Sequence, residues 1–244
     1  NLTVVQQILR YIGDLVPGVP FGYGDLGLRP DQGAAAAKAL ERLVAQKKLT
    51  RVTKGIFCVP GRGVFQPKGP TDDQLIDALL HKNGKQVAYI TGMRLMARMG
   101  FVEPSDRYPW EIAMYRRRGQ FNRAHLSIQA VNSWVPIEEL NVPVLELLDA
   151  VRAFNTLADQ QPKQCIQYLA ELFGRLTEQQ RDLLLDSAIY YPAGTCALLG
   201  ALISFWGWDM DLGPLVARVN PTSRYPCVAS ASALPTGTYW GLAN

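Results

Sequence analysis

The sequence is short of the residues that most metal and disulfide sites require. Its 244 residues include two histidines, His81 and His125, and four cysteines, Cys58, Cys165, Cys196 and Cys227, with no CxxC spacing. A tetrahedral metal site needs clustered Cys and His ligands, so no metal is expected. The cysteines sit in apolar company and read as reduced, buried small hydrophobes, which favours a cytoplasmic protein. No apolar run reaches the roughly 20 residues a membrane span needs, and Gln6, Gln7 and Arg10 interrupt the opening stretch that a signal peptide would require. The phosphate-binding GxxxxGK[ST] loop, a GxGxxG turn after a strand, a GxSxG elbow and the kinase motif set are all missing. No cofactor and no enzyme activity are expected.

What remains is a chain that is 48% hydrophobic and 19% charged, as folded proteins with a core are. Its net charge of +4 is unevenly spread. Residues 1–70 hold ten Lys and Arg against four Asp and Glu, and the other 174 residues hold fifteen against seventeen. The basic first third implies an anionic partner.

Leu2, Val5, Ile8, Leu9 and Ile12 recur at helical spacing, with Thr3 placed to cap and Gly13 to stop. A Pro/Gly-rich connection follows, then a short turn at "DLGL" and a helix from about Gln32 to Lys47, capped by Asp31, with Ala36, Leu40, Leu43 and Val44 inward. "LTRV" and "GIFCV" read as strands joined at "TKG", where Gly55 supplies a positive φ. Helix, short helix, helix, hairpin is the order of a winged helix-turn-helix. A Pro/Gly-rich linker is expected near residues 60–71. Beyond it come a Thr71-capped helix, a helical "MRLMARMGF", and a hairpin in which Trp110, Ile112 and Met114 alternate, then Leu126, Ile128 and Ala130. From Val144 the chain is mostly helical, with a capping box at Thr177–Gln180 and an all-apolar helix in "AGTCALLGALISFWG". The expected fold is α+β and mainly helical: a winged helix over 1–62, a small α+β domain over 63–140, and a mostly helical region over 141–244.

The candidate DNA-binding set is Arg29, Gln32, Lys38, Arg42, Lys47, Lys48, Arg51, Thr53 and Lys54. Lys38 and Arg42 lie four apart and so share a helix face. Helix dipole complementation explains Lys47 and Lys48 well, and Lys38, Arg51 and Lys54 less well. Five phosphate contacts would give log K against log salt a slope of about −4.5. With few bulky donors at the helix start, one domain discriminates weakly, and a homodimer on two half-sites would sharpen it. Arg116, Arg117, Arg118 and Arg123 form a second basic run at a hairpin turn, open between simple exposure and a grip on DNA or acidic protein. Of the paired carboxylates, Asp72/Asp73 suit a helix N-terminus and Glu138/Glu139 a turn, while Asp209/Asp211 beside Trp206 and Trp208 is the pair to test for catalysis. The histidines read as structural.

"ALERLVAQKKLTRVTKGIFCVP" resembles the helix–wing segment of AbiEi-type antitoxins, with Phe57 where Tyr is common. "ITGMRLMARMGF", "LLDSAIYYPAGTCALLGAL" and "VNPTSRYP…LPTGTYW" are similar to later segments of that family, in the same order. The resemblance implies an antitoxin of a type IV, phage-defence toxin–antitoxin system. Its winged helix would bind inverted repeats in double-stranded promoter DNA and repress its own operon, through Lys38, Arg42, Arg51 and Lys54. Its C-terminal region would counter a nucleotidyltransferase-like toxin. The alanines at 34–37 depart from the polar readers expected there. Two alternatives stand beside this one: a protein-interaction module without DNA binding, and an enzyme that modifies the toxin.

Overall fold

The computed structural model describes residues 2–61, 70–158 and 161–243. Most of the expected linker, and the expected boundary at 62/63, lie outside the described residues. The chain is α+β with more helix than strand, and it divides into two compact units, residues 1–88 with 120–128, and 89–119 with 129–244.

The first unit opens with α1 (Val4–Gly13). Thr3 caps it through a reciprocal box: the Gln6 amide donates to Thr3 Oγ1 at 3.3 Å and the Thr3 amide to Gln6 Oε1 at 2.9 Å. β1 (Pro20–Gly22) and two single 3-10 turns lead to α2 (Gly33–Ala45), β2 (Thr50–Thr53) and β3 (Ile56–Cys58). Ile8 of α1 meets Ala36, Ala39, Leu40 and Leu43 of α2 in one apolar cluster with Phe21, Leu49 and Phe57. The strands order β1-β3-β2, with Phe21 opposite Phe57 and Arg51 on that residue's other side. The expected turn-rich connection therefore contains a strand. Phe21 is fully buried and fixes it there, while Pro20 is tolerated because it begins an edge strand.

Asp31 does not cap α2. Pro30 starts a 3-10 turn that carries Asp31 away from the helix end, and Gln32 occupies the N-cap position without a side-chain cap. Val44 is half-buried, and Ala39 takes the inward place instead. α3 (Asp72–Leu80) carries the expected Thr71 cap, and β4 (His81–Lys82) and β5 (Lys85–Gln86) follow as a small hairpin.

β6 (Ala88–Thr91), α4 (Gly92–Arg98), β7 (Trp110–Tyr115), β8 (Gly119–Arg123) and β9 (Leu126–Ser133) come next. In the second unit β6, β7 and the later part of β9 follow one another in sheet order; in the first, β8 lies beside the start of β9. Three strands thus replace the expected two. The tight turn between paired strands is Ala124–His125, and Arg116–Arg118 form the link from β7 to β8.

The second unit is built on α5 (Val142–Arg152), α6 (Phe154–Leu157), α7 (Pro162–Gly174), α8 (Glu178–Ala188) and α9 (Ala193–Trp206), with α10 (Gly213–Val216) and a tail holding β10 (Tyr225–Pro226) and β11 (Leu242–Ala243). The capping box at Thr177 and Gln180 forms as expected. α9 is buried from Thr195 to Ile203, as its all-round apolarity requires. Gly200 is obligatory: a Cβ there would stand 2.3 Å from the Trp240 ring.

Candidate nucleic-acid interface

α2 turns its small and apolar side chains inward, which leaves Lys38 and Arg42 exposed one helical turn apart. Glu41, between them in sequence, reaches Arg51 of β2 at 3.6 Å, and the Arg51 guanidinium lies 5.5 Å from the Phe57 ring centroid. This exposed ion pair is weak in itself. Its value is geometric, because it sets the outer face of α2 beside the β2–β3 hairpin.

The end of α2 brings in two more cations. The Lys48 amide donates to Leu43 O at 3.0 Å and the Lys47 amide to Val44 O at 2.9 Å, the two bonds of a Schellman close. Lys47 sits at the left-handed position of that close, with φ 57. Glycine or asparagine ordinarily fills such a place, so an exposed lysine there is a strained choice. At the hairpin tip, Thr53 pairs with Ile56, and Gly55 at φ 79 closes the two-residue turn that exposes Lys54. Thr53 itself is half-buried.

The expected set therefore separates. Among the described residues, Lys38, Arg42, Lys47, Lys48 and Lys54 are exposed with no carboxylate at ion-pair distance. Arg51 is engaged by Glu41, and Arg29 by Asp31 at 3.2 Å. Gln32 is occupied locally, its Oε1 accepting from the Arg29 amide at 3.0 Å. Elsewhere in the first unit, a cavity of about 370 Å³ is lined by Asp25, Asp73, Asp77, His81 and Tyr11, among others. Burial, then Asp25, pushes the Tyr11 phenol up. The carboxylates lining that cavity are unfavourable to an anionic ligand, whereas the exposed cations lie on α2 and the hairpin.

The second basic run also separates. Arg116, Arg117 and Arg118 are exposed, whereas Arg123 is half-buried with Nε lacking a hydrogen-bond partner. Burial lowers its guanidinium below the ordinary value, and Asp25 opposes that shift. Arg123 is thus partly desolvated and not an exposed anchor.

Both histidines have partners that sequence could not reveal. His125 Nε2 lies 2.6 Å from Asp72 Oδ1, and His81 Nδ1 lies 3.3 Å from Asp77. Asp209 and Asp211 are exposed, and Asp211 accepts from the Gly213 amide at 2.9 Å, closing a loop. The four cysteines are free and buried, with Cys165 pushed up to about 11 by burial. Among the described residues no group of three or more His, Cys, Asp or Glu could hold a metal, and no helix is long and apolar enough to cross a membrane.

One polar centre escaped the sequence reading. Asp149 of α5 is buried, and three hydroxyls converge on it: Thr91 at 2.6 Å, Tyr89 at 3.0 Å and Tyr191 at 3.4 Å. Arg152 stands 3.8 Å away. Burial pushes the Asp149 carboxyl above its ordinary value, while Thr91, Arg152 and the phenols pull it back. The signal was the second acid of "LELLDAV", set directly between Leu148 and Ala150 in a mostly apolar helix. Its donors come from β6 and from Tyr191 just before α9, so the cluster ties both to α5.

Comparison of the chain with protein-family models, curated proteins and solved structures finds no match.

Proposed function

We propose that this chain is a DNA-binding antitoxin of a type IV, phage-defence toxin–antitoxin system. It represses its own operon, and its N-terminal winged helix-turn-helix grips inverted repeats in the promoter. The observation that carries the DNA part is the pairing of α2 with the β2–β3 hairpin through Glu41 and Arg51, beside five exposed cations that have no ion-pair partner among the described residues. In this reading α2 enters the major groove. Ala34 and Ala35, exposed at its start, let the backbone approach closely and offer apolar contact to thymine methyl groups. Lys38 and Arg42 flank the groove, Lys47 and Lys48 reach phosphates from the helix end, and Lys54 follows the backbone from the hairpin tip.

The antitoxin part rests on the four ordered stretches that resemble AbiEi-type proteins. It assigns the later region to countering a nucleotidyltransferase-like toxin in the cytoplasm, with no catalytic step for this chain.

A mobility-shift titration of the upstream DNA tests the first part. Lys38→Ala/Lys54→Ala should weaken the shift about tenfold or more at low salt and leave toxin protection in cells intact. Wild-type protein that fails to shift the fragment at low salt, or a double variant that shifts it equally well, removes the repressor reading. Loss of protection on Asp209→Ala/Asp211→Ala in folded protein would favour the enzyme alternative.

A further inference from the structure

The second unit is slightly acidic overall, with twelve Lys and Arg against fourteen Asp and Glu, yet three of those cations are consecutive at Arg116–Arg118. All three are exposed in the link that leaves β7. Three adjacent like charges repel one another, which raises the local positive potential of this tip.

Two further features set this tip apart from an ordinary solvated loop. Arg116 adopts the left-handed conformation, φ 57, which glycine or asparagine fills with less strain. Strained backbone of this kind clusters at ligand-binding sites, and here it accompanies an exposed cation. Tyr115, 39% exposed, lies beside it, with the Arg116 guanidinium carbon 5.0 Å from the ring centroid. The tip therefore offers a flat aromatic surface and a flat cation together, with more positive charge alongside.

We propose that the Tyr115–Arg118 tip is a binding surface for single-stranded nucleic acid, separate in residues and chemistry from the α2 face. Unpaired bases stack on aromatic rings and guanidinium planes, and the strand's phosphates meet the neighbouring arginines. A duplex keeps its bases stacked on each other and has no use for Tyr115. An acidic peptide would use the charge and likewise leave the ring idle. The ring is what selects the single strand.

The test uses the full-length chain and a fluorescein-labelled 12-nucleotide oligouridylate, followed by anisotropy across a potassium chloride series. Tyr115→Ala should weaken binding roughly 5- to 100-fold with the salt slope unchanged, and Tyr115→Phe should stay within about twofold of wild type. Arg116→Ala/Arg118→Ala should make the slope shallower by about 1.4, two phosphates at roughly 0.7 each. Lys38→Ala/Lys54→Ala should bind the strand as wild type does, so failure of the duplex reading leaves this result standing. Oligothymidylate of the same length assigns the strand: equal affinity means either nucleic acid, and a tenfold deficit means RNA. The proposal is overturned if wild type does not bind at 50 mM salt, or if Tyr115→Ala binds normally. It also falls if polyglutamate or a blunt duplex displaces the strand as well as unlabelled oligouridylate does.

Discussion

Lys47 holds a left-handed backbone position, φ 57, at the close of α2, so replacing it with glycine changes strain and charge together. For an L-residue that conformation costs about 1–2 kcal/mol. Glycine avoids the cost but gives back about 0.4–1 kcal/mol through the greater freedom of its unfolded chain. Lys47→Gly should therefore stabilise the first unit by about 0.5–1 kcal/mol. The same change removes one cation of the proposed interface and should make the slope of log K against log salt shallower by about 0.9. Between 50 and 200 mM potassium chloride, the wild-type advantage in affinity should then shrink about 3.5-fold. Lys47→Ala separates the two effects, because it loses the charge and keeps the strain. Urea denaturation together with exchange protection of the α2 amides reads the first effect, and anisotropy on duplex DNA the second. A glycine variant less stable than wild type refutes the strain argument. One with an unchanged salt slope removes Lys47 from the interface.

The remaining predictions concern other sites. Glu41→Ala frees Arg51 from its 3.6 Å ion pair, so the salt slope on duplex DNA should steepen by about 0.9 while stability falls by less than about 1 kcal/mol; an unchanged slope places Arg51 off the DNA. Asp149→Ala leaves the Tyr89, Thr91 and Tyr191 hydroxyls without their acceptor and should cost about 2–4 kcal/mol in chemical denaturation of the second unit. Because burial raises the Asp149 carboxyl above its unfolded value, its contribution to stability is full below about pH 4 and is lost as pH rises through the folded value. Asp149→Asn, which does not titrate, should therefore gain on wild type in melting temperature from pH 4 to pH 7, and a constant difference would contradict this. Gly200→Ala drives a methyl group into the Trp240 ring at 2.3 Å and should cost about 1–3 kcal/mol, with a shift in tryptophan emission.

Local signals in the sequence were read well. The Thr3, Thr71 and Thr177 caps, each with glutamine three residues on, mark helix starts that the structure retains. α9 shows its burial through uninterrupted apolarity, and Gly55 shows its turn. What escaped was non-local or punctuated. β1 is hidden by its Pro and Gly, and its identity as a strand depends on Phe57, 36 residues later. Asp31 has the chemistry of a cap, but Pro30 moves the helix start past it. The candidate interface was legible as a set of cations. The division within it was not, because the fold sets Glu41 against Arg51 and half-buries Arg123. Asp149 needed the same help, with hydroxyls 42, 58 and 60 residues away.

The central claim is that α2 and the β2–β3 hairpin grip duplex DNA through Lys38, Arg42, Lys47, Lys48 and Lys54. It is tested most directly by the binding constant of the full chain for its own upstream duplex, measured from 50 to 300 mM potassium chloride. Five phosphate contacts predict a slope of about −4.5. A slope near zero, or one that stays the same in Lys38→Ala/Lys54→Ala, contradicts the account.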